Sequence, residues 1–250
     1  MTRLILSAVL SLLLSLGASA APIKLATEGA YPPFNTLDDA GKVSGFDIDL
    51  GNEVCARAGL ECVWVTNEWD TLIANLTASN YDAIVSDMTI NDDRLKTIDF
   101  TDEYFPPDPS NYLSVAGNLY DYSALKGLKL GAQSGSAQAS YLQTLKADNT
   151  IIAVDADQAI ADLNAGTLDL YLAEGSYVDE QVAASNGALK SDGPDIPIGK
   201  GAAIGVRKAD TDLKGKLNTA LAAVKADGWL DALIAKYFPN LGPAPYFKPN

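Results

Sequence analysis

The sequence predicts an α/β chain folded as two lobes, each a mainly parallel sheet flanked by helices, with a cleft for a ligand between them. Three observations carry this. From Ile23 to Tyr104, short apolar runs suited to strands alternate with helical patterns, which is how a parallel sheet reads in sequence. The alternation stops at Phe105-Pro106-Pro107-Asp108-Pro109, a stiff extended segment, and resumes at Leu128. A second connector, Gly193 to Gly199, precedes the last strand and helices, so two α/β blocks lie either side of proline-bearing crossings.

Arg3 precedes an apolar run from Leu4 to Leu16, and Gly17-Ala18-Ser19-Ala20 supplies small residues for cleavage after Ala20. Residues 1–20 are read as a secretory signal, because the run is shorter than the roughly 20 apolar residues a spanning helix needs. No cysteine follows the cleavage site, so no lipid anchor is expected there. The mature chain of 230 residues (250 − 20) is expected to be a soluble exported protein without membrane insertion.

Removing Arg3 leaves 17 basic against 32 acidic residues, a formal charge of −15, which repels nucleic acid and anionic membranes. The two cysteines, Cys55 and Cys62, are expected to pair in an oxidising compartment and close a small loop between a helix end and the next strand. The chain has no histidine. That removes the commonest general base, the usual catalytic triads and most zinc sites.

Ile23 to Thr27 opens the mature chain as a strand, and the two prolines of Glu28-Gly29-Ala30-Tyr31-Pro32-Pro33-Phe34 hold the next stretch extended. Tyr31 is either an exposed stacking face or a rigid plug over the core. Asp47 and Asp49 begin a helix that runs to Ala58. They lack the glycine and distal glutamate of a calcium loop, and their place at a helix start has a dipole explanation, so no metal is expected. Cys62 to Val65 reads as a strand, and Trp69 to Leu76 as a helix with Leu72, Ile73 and Leu76 on its apolar face. Trp69, off that face, is a packing residue or a second stacking surface.

Tyr81 to Val85 is a buried strand, and Ser86, Asp87 and Thr89 follow just past its end. Asn91 is a good N-cap, with Asp92 and Asp93 in the first turn, so Arg94 falls about three residues into a short helix. A guanidinium beside a helix N-terminus and hydroxyls is suited to holding a small carboxylate, the alternative being a surface arginine. In the second block, Leu128 to Ala132 is a strand, Gln133-Ser134-Gly135-Ser136 a small-residue loop, and Ala137 to Leu145 helical, a general anion cradle without the ending of a nucleotide loop. Ile151 to Val154, a helix from Gln158 to Asn164 and a strand from Leu168 to Leu172 follow. Glu174 lies just beyond that strand, where open α/β sheets place ligands, or else is a solvated loop carboxylate. Ala202 to Val206 is a strand. Leu213, Leu217, Leu221 and Val224 mark a helix from Thr211 to Ala226, and Trp229 to Tyr237 a last one. The proline-rich tail after Asn240 is draped or mobile.

The stretches EGAYPPF (28–34), GFDIDLGNEVC (45–55), WDTLIANL (69–76), YDAIVSDMTINDDR (81–94), IDFTDEY (98–104), GAQSGSAQ (131–138), AGTLDLYLAE (165–174) and DGWLDALIAKYF (227–238) span nearly the whole mature chain. In these the chain resembles the periplasmic substrate-binding proteins of polar amino-acid ABC importers, solute-binding protein family 3, and is most similar to the lysine/arginine/ornithine and histidine binders. The resemblance implies a type II periplasmic-binding-protein fold. Lobe 1 would comprise residues 21–107 and 200–250, lobe 2 residues 108–199, with hinge crossings near 105–111 and 195–201 and closure on the ligand.

Carried over by position, the resemblance implies that Arg94 grips the α-carboxylate, helped by the Thr89 and Ala137 backbone N–H groups. Thr89's hydroxyl and Glu174, where the family usually has aspartate, would receive the α-ammonium. Tyr31 and Trp69 would sandwich the side chain, with Ser86, Gln133, Ser136 and Gln138 lining the rest. Glu28 occupies the place of the acid that basic-amino-acid binders use for the distal cation, and Asp87 replaces a serine or glycine. Two unpaired carboxylates are costly to bury, and a cationic side chain relieves that cost. The expected ligand is therefore arginine, lysine or ornithine, the alternative a neutral polar amino acid such as glutamine, or an opine. The expected partner is an ABC permease, the chain a monomer, with no cofactor and no metal. Two further readings belong to other classes. In a prephenate-type dehydratase the general-acid position would be Tyr177, a poor acid near neutral pH, and a ligand-sensing module would need a separate signalling partner.

Overall fold

The computed structural model describes residues 21–145 and 150–247, so the expected signal segment lies outside them. The chain opens with β1 (Ile23–Thr27), then a small antiparallel flap of β2 (Ala30–Tyr31), β3 (Asn35–Leu37) and β4 (Val43–Ser44). Gly45 ends the flap at φ +123°, where a Cβ would come within 2.4 Å of the Phe34 carbonyl oxygen, so only glycine lets the chain turn into α1 (Phe46–Arg57). Phe46, Leu50 and Val54 bury one face of that helix. β5 (Cys62–Thr66), a 3₁₀ turn at Trp69–Thr71, α2 (Leu72–Thr77), β6 (Ala83–Ile84), α3 (Asp92–Thr97) and β7 (Asp99–Glu103) follow. The Cys55–Cys62 disulfide ties the last turn of α1 to the start of β5.

The second sheet begins with β8 (Ser110–Val115) and continues through β9 (Lys129–Gln133), α4 (Ala137–Thr144), β10 (Thr150–Val154), α5 (Ala156–Ala165), β11 (Leu170–Glu174), α6 (Gly175–Ala184) and β12 (Leu189–Ile196). The chain then returns to the first sheet as β13 (Ala203–Val206) and ends in α7 (Thr211–Ala226) and α8 (Trp229–Tyr237).

The sheets run β5-β1-β6-β13-β7 and β10-β9-β11-β8-β12. Both are mixed, which corrects the expectation of mainly parallel sheets: β1 pairs parallel with β5 and β6, but β13 pairs antiparallel with β6 and β7. In the second sheet, β9 pairs parallel with β10 and β11, and β8 antiparallel with β11 and β12. The antiparallel members are the strands that flank the crossings. They need no crossover helix, so the strand-helix rhythm does not announce them. The connector expected at Gly193 to Gly199 is in fact half strand, since β12 runs to Ile196 and takes up Gly193-Pro194 at a register shift between Asp192 and Ile196.

Phe34 meets Phe46, Phe105 and Phe238 at ring-centroid distances of 5.9, 5.1 and 4.6 Å. One aromatic cluster thus joins the flap, α1, the first crossing and the end of α8. The tail is draped: the Tyr246 N–H donates to Asp231 at 3.2 Å, and Lys225 Nζ lies 4.1 Å from the Phe247 ring centroid.

Candidate functional site

The carboxyl ends of β1 and β6 in the first sheet face those of β9 and β11 in the second, and polar side chains converge there. Glu28 follows β1. Its backbone N–H donates to Ser86 Oγ at 3.0 Å, and its carboxylate accepts from Gln133 Nε2 of the other sheet. Tyr31 donates its hydroxyl to Glu174 Oε2 at 2.5 Å, and Glu174 Oε1 accepts from Gln138 Nε2 at 2.8 Å. Gln138 also donates to Ser110 Oγ at 3.0 Å.

Nine of the expected residues line one narrow cavity: Glu28, Tyr31, Trp69, Ser86, Asp87, Gln133, Ser136, Gln138 and Glu174. The space between them admits the centre of a water-sized sphere over only about 10 Å³, room for a single water. Arg94 and Ala137 line an adjoining cavity that shares Ser136, and Thr89 lines neither. Ser136 caps α4 by accepting from the Ala139 N–H, as Asn91 caps α3 by accepting from the Arg94 N–H at 2.8 Å.

Arg94 is buried. Its Nη1 donates to the Thr89 carbonyl at 2.8 Å, and its guanidinium carbon lies 5.2 Å from the Trp69 ring centroid. Burial lowers it to about 10, against Glu174 and Asp87, so it stays charged at neutral pH. Trp69 therefore faces a protein cation, and its buried Nε1 has no acceptor among the described residues. Tyr31 is the plug: its ring stacks on Tyr177 at 4.3 Å and an interplanar angle of 9°.

The acids respond to burial. Glu28 is pushed up to about 8 by desolvation, which the Gln133 hydrogen bond only partly offsets. Asp87 is raised well above the carboxylate range by burial and then by Glu174 and Asp47; it lines the cavity with φ +44°. The flap is held by a buried chain of bonds in which the Gly29 N–H donates to Asn35 Oδ1 at 2.7 Å, while Asn35 Nδ2 and the Tyr104 hydroxyl each donate to Asp47 at 2.9 Å. Asp47 is thus a buried brace, pushed up to about 7 by desolvation. Among the described residues no cluster of metal-ligating side chains occurs. Sequence reasoning missed Tyr171, Leu172 and Ala173, which also line the cavity. The one signal was Tyr171, an aromatic among the aliphatic residues that lead to Glu174 on β11.

The profile of the bacterial extracellular solute-binding proteins, family 3, matches residues 23–240. The chain belongs to that family. It is 36% identical over 257 residues to the L-arginine-binding protein of Pseudomonas aeruginosa, covering 95% of this chain and 97% of the relative. It is 34% identical over 253 residues to the lysine/arginine/ornithine-binding periplasmic protein of Escherichia coli K12, covering 92% and 95%. A periplasmic His/Glu/Gln/Arg/opine family-binding protein from Silicibacter pomeroyi, solved in complex with lysine, superposes with a TM-score of 0.82 at 38% identity, over 89% of this chain and all of that one. The family member has the α/β periplasmic-binding-protein fold with two mixed sheets flanked by helices. Family 3 proteins are non-enzymatic components of transport, and the solute-binding chain described here is one of them. Among the described residues no helix is long and apolar enough to cross a membrane.

Proposed function

We propose that the chain is a periplasmic binding protein that captures a cationic amino acid, arginine before lysine or ornithine, by closing its two lobes, residues 21–107 with 200–250 and 108–199, and hands it to an ABC permease. The observation that carries this reading is the excess of acidic side chains in the cleft, which a cationic ligand would favour in their ionised form. Glu28, Asp87 and Glu174 line it, and Arg94 adjoins it as their cationic counterpart. With Arg94 taking the α-carboxylate and Glu174 the α-ammonium, Glu28 and Asp87 are left to a positive side chain. The names of the Pseudomonas and Escherichia relatives, and the lysine in the Silicibacter complex, agree with that preference.

One observation favours a second ligand class. At about 8, Glu28 holds its proton at neutral pH and can hydrogen-bond an amide, which suits a neutral polar amino acid such as glutamine. A thermal-shift screen against the standard amino acids, followed by calorimetry, decides. The cationic reading requires a shift with arginine or lysine, abolished in Arg94→Ala and redirected towards neutral ligands in Glu28→Gln or Asp87→Asn. A response to glutamine without one to arginine or lysine establishes the neutral reading, and retained binding in Arg94→Ala removes the assigned grip.

A further inference from the structure

Three tyrosines cluster where the lobes meet, and their hydroxyls have different fates. Tyr31 is engaged by Glu174, and Tyr177 donates to the Ala156 carbonyl at 3.4 Å. Tyr171 is 1% exposed and lines the cavity; its hydroxyl makes no hydrogen bond among the described residues and is not among the polar atoms wholly shut off from solvent, so what exposure it keeps is to the cavity. A cavity-lining phenol oxygen with no protein partner is left to bond water or a ligand that displaces it.

The position is set by the backbone. On β11, Tyr171 and Ala173 turn to the core shared with Tyr31 and Tyr177, whereas Leu170 and Leu172 face the other side of the sheet. In register beside it on β9 stands Gly131, which carries no side chain to crowd the ring. The edge of the Tyr171 ring meets Tyr177 at 6.4 Å, which fixes the ring without using its oxygen. Burial, then Tyr177, Glu174, Glu28 and Asp155, keep the phenol protonated far above neutral pH.

We infer that Tyr171 is a specificity-determining residue whose phenol oxygen accepts a hydrogen bond from the distal guanidinium of the ligand beside Glu28, so that the site prefers a guanidinium to a primary ammonium. The inference rests on the cationic reading of the cleft. A guanidinium presents five N–H donors in a fixed fork, more than one carboxylate can accept, and the surplus needs a further acceptor. One oxygen of Glu28 is already engaged by Gln133, which makes that need greater. An ammonium, with three donors on a freely turning stem, can be satisfied without Tyr171.

Tyr171→Phe keeps the ring and removes the oxygen. Calorimetry with L-arginine and L-lysine on both proteins is expected to show the arginine Kd rising about fivefold and the lysine Kd changing less than about twofold, so that the preference for arginine shrinks. Equal changes for both ligands, or none, overturn the role of Tyr171 while leaving the cationic reading standing. If the unsubstituted protein binds neither ligand but responds to glutamine, the cationic reading itself fails and this inference with it.

Discussion

The Tyr31 hydroxyl and the Glu174 carboxylate, 143 positions apart in the chain, meet across the cleft at 2.5 Å. In the proposed function, Glu174 receives the ligand's α-ammonium and Tyr31 covers its side chain. The structure pairs these two residues with each other, so an entering ammonium competes with a phenol already bound to the acid.

Tyr31→Phe removes the competitor and keeps the stack on Tyr177. Affinity for the cognate amino acid is expected to rise about threefold to tenfold, with the free protein losing about 1 kcal/mol of stability. Calorimetry and denaturant unfolding measure the two. Weaker binding would show that the hydroxyl serves the ligand and not the acid.

Stability in the absence of ligand is expected to fall as pH rises. Desolvation raises Glu28 from 4.5 to about 8 and Asp47 from 3.8 to about 7, so between those limits the folded protein retains protons that the unfolded chain releases. The slope of stability against pH is therefore negative across that window. The melting temperature should be higher near about pH 5.5 than near about pH 8.5, and Glu28→Gln should flatten the difference. A cationic ligand favours the ionised carboxylates, so its binding should release protons, visible as buffer-dependent binding heats, and its affinity should rise with pH. A stability profile that climbs from acid to alkaline pH would contradict the assignment of these buried acids.

Cys55→Ser with Cys62→Ser opens a loop with a sequence separation of 7. Closing so short a loop stabilises by about 2.5 kcal/mol, so the melting temperature should drop by about 5–10 °C. Cys62 opens β5, whereas the cleft lies at the carboxyl ends of the strands, so the ligand-induced shift should persist. Its loss would mean that the disulfide orders the site as well as the scaffold.

Much of this was legible locally. Asn91 capping α3, Ser136 capping α4, the full spans of α7 and α8 and the Cys55–Cys62 pair all depend on neighbours close in sequence, where capping, helical spacing and short loops act. The residues that converge at the cleft were legible from resemblance, because they recur in fixed order along the chain. The antiparallel strands β7, β8, β12 and β13 were legible only in part. Three of them do not stand out in sequence: β12 takes Gly193-Pro194 into its register shift, and β7 and β8 read as polar flanks of a proline connector.

By itself, then, the sequence determined most of the helices and the parallel strands, the helix caps, the acidic charge, the disulfide and nine of the residues that line the cleft. Only the tertiary structure decided the use each one has. Tyr31 is turned onto Glu174 and Tyr177, Trp69 onto Arg94, Asp47 into a brace, and Tyr171 towards the cavity. Hydrogen-bond pairing and desolvation depend on what stands within a few ångströms, and those neighbours come from strands and loops far apart in the chain.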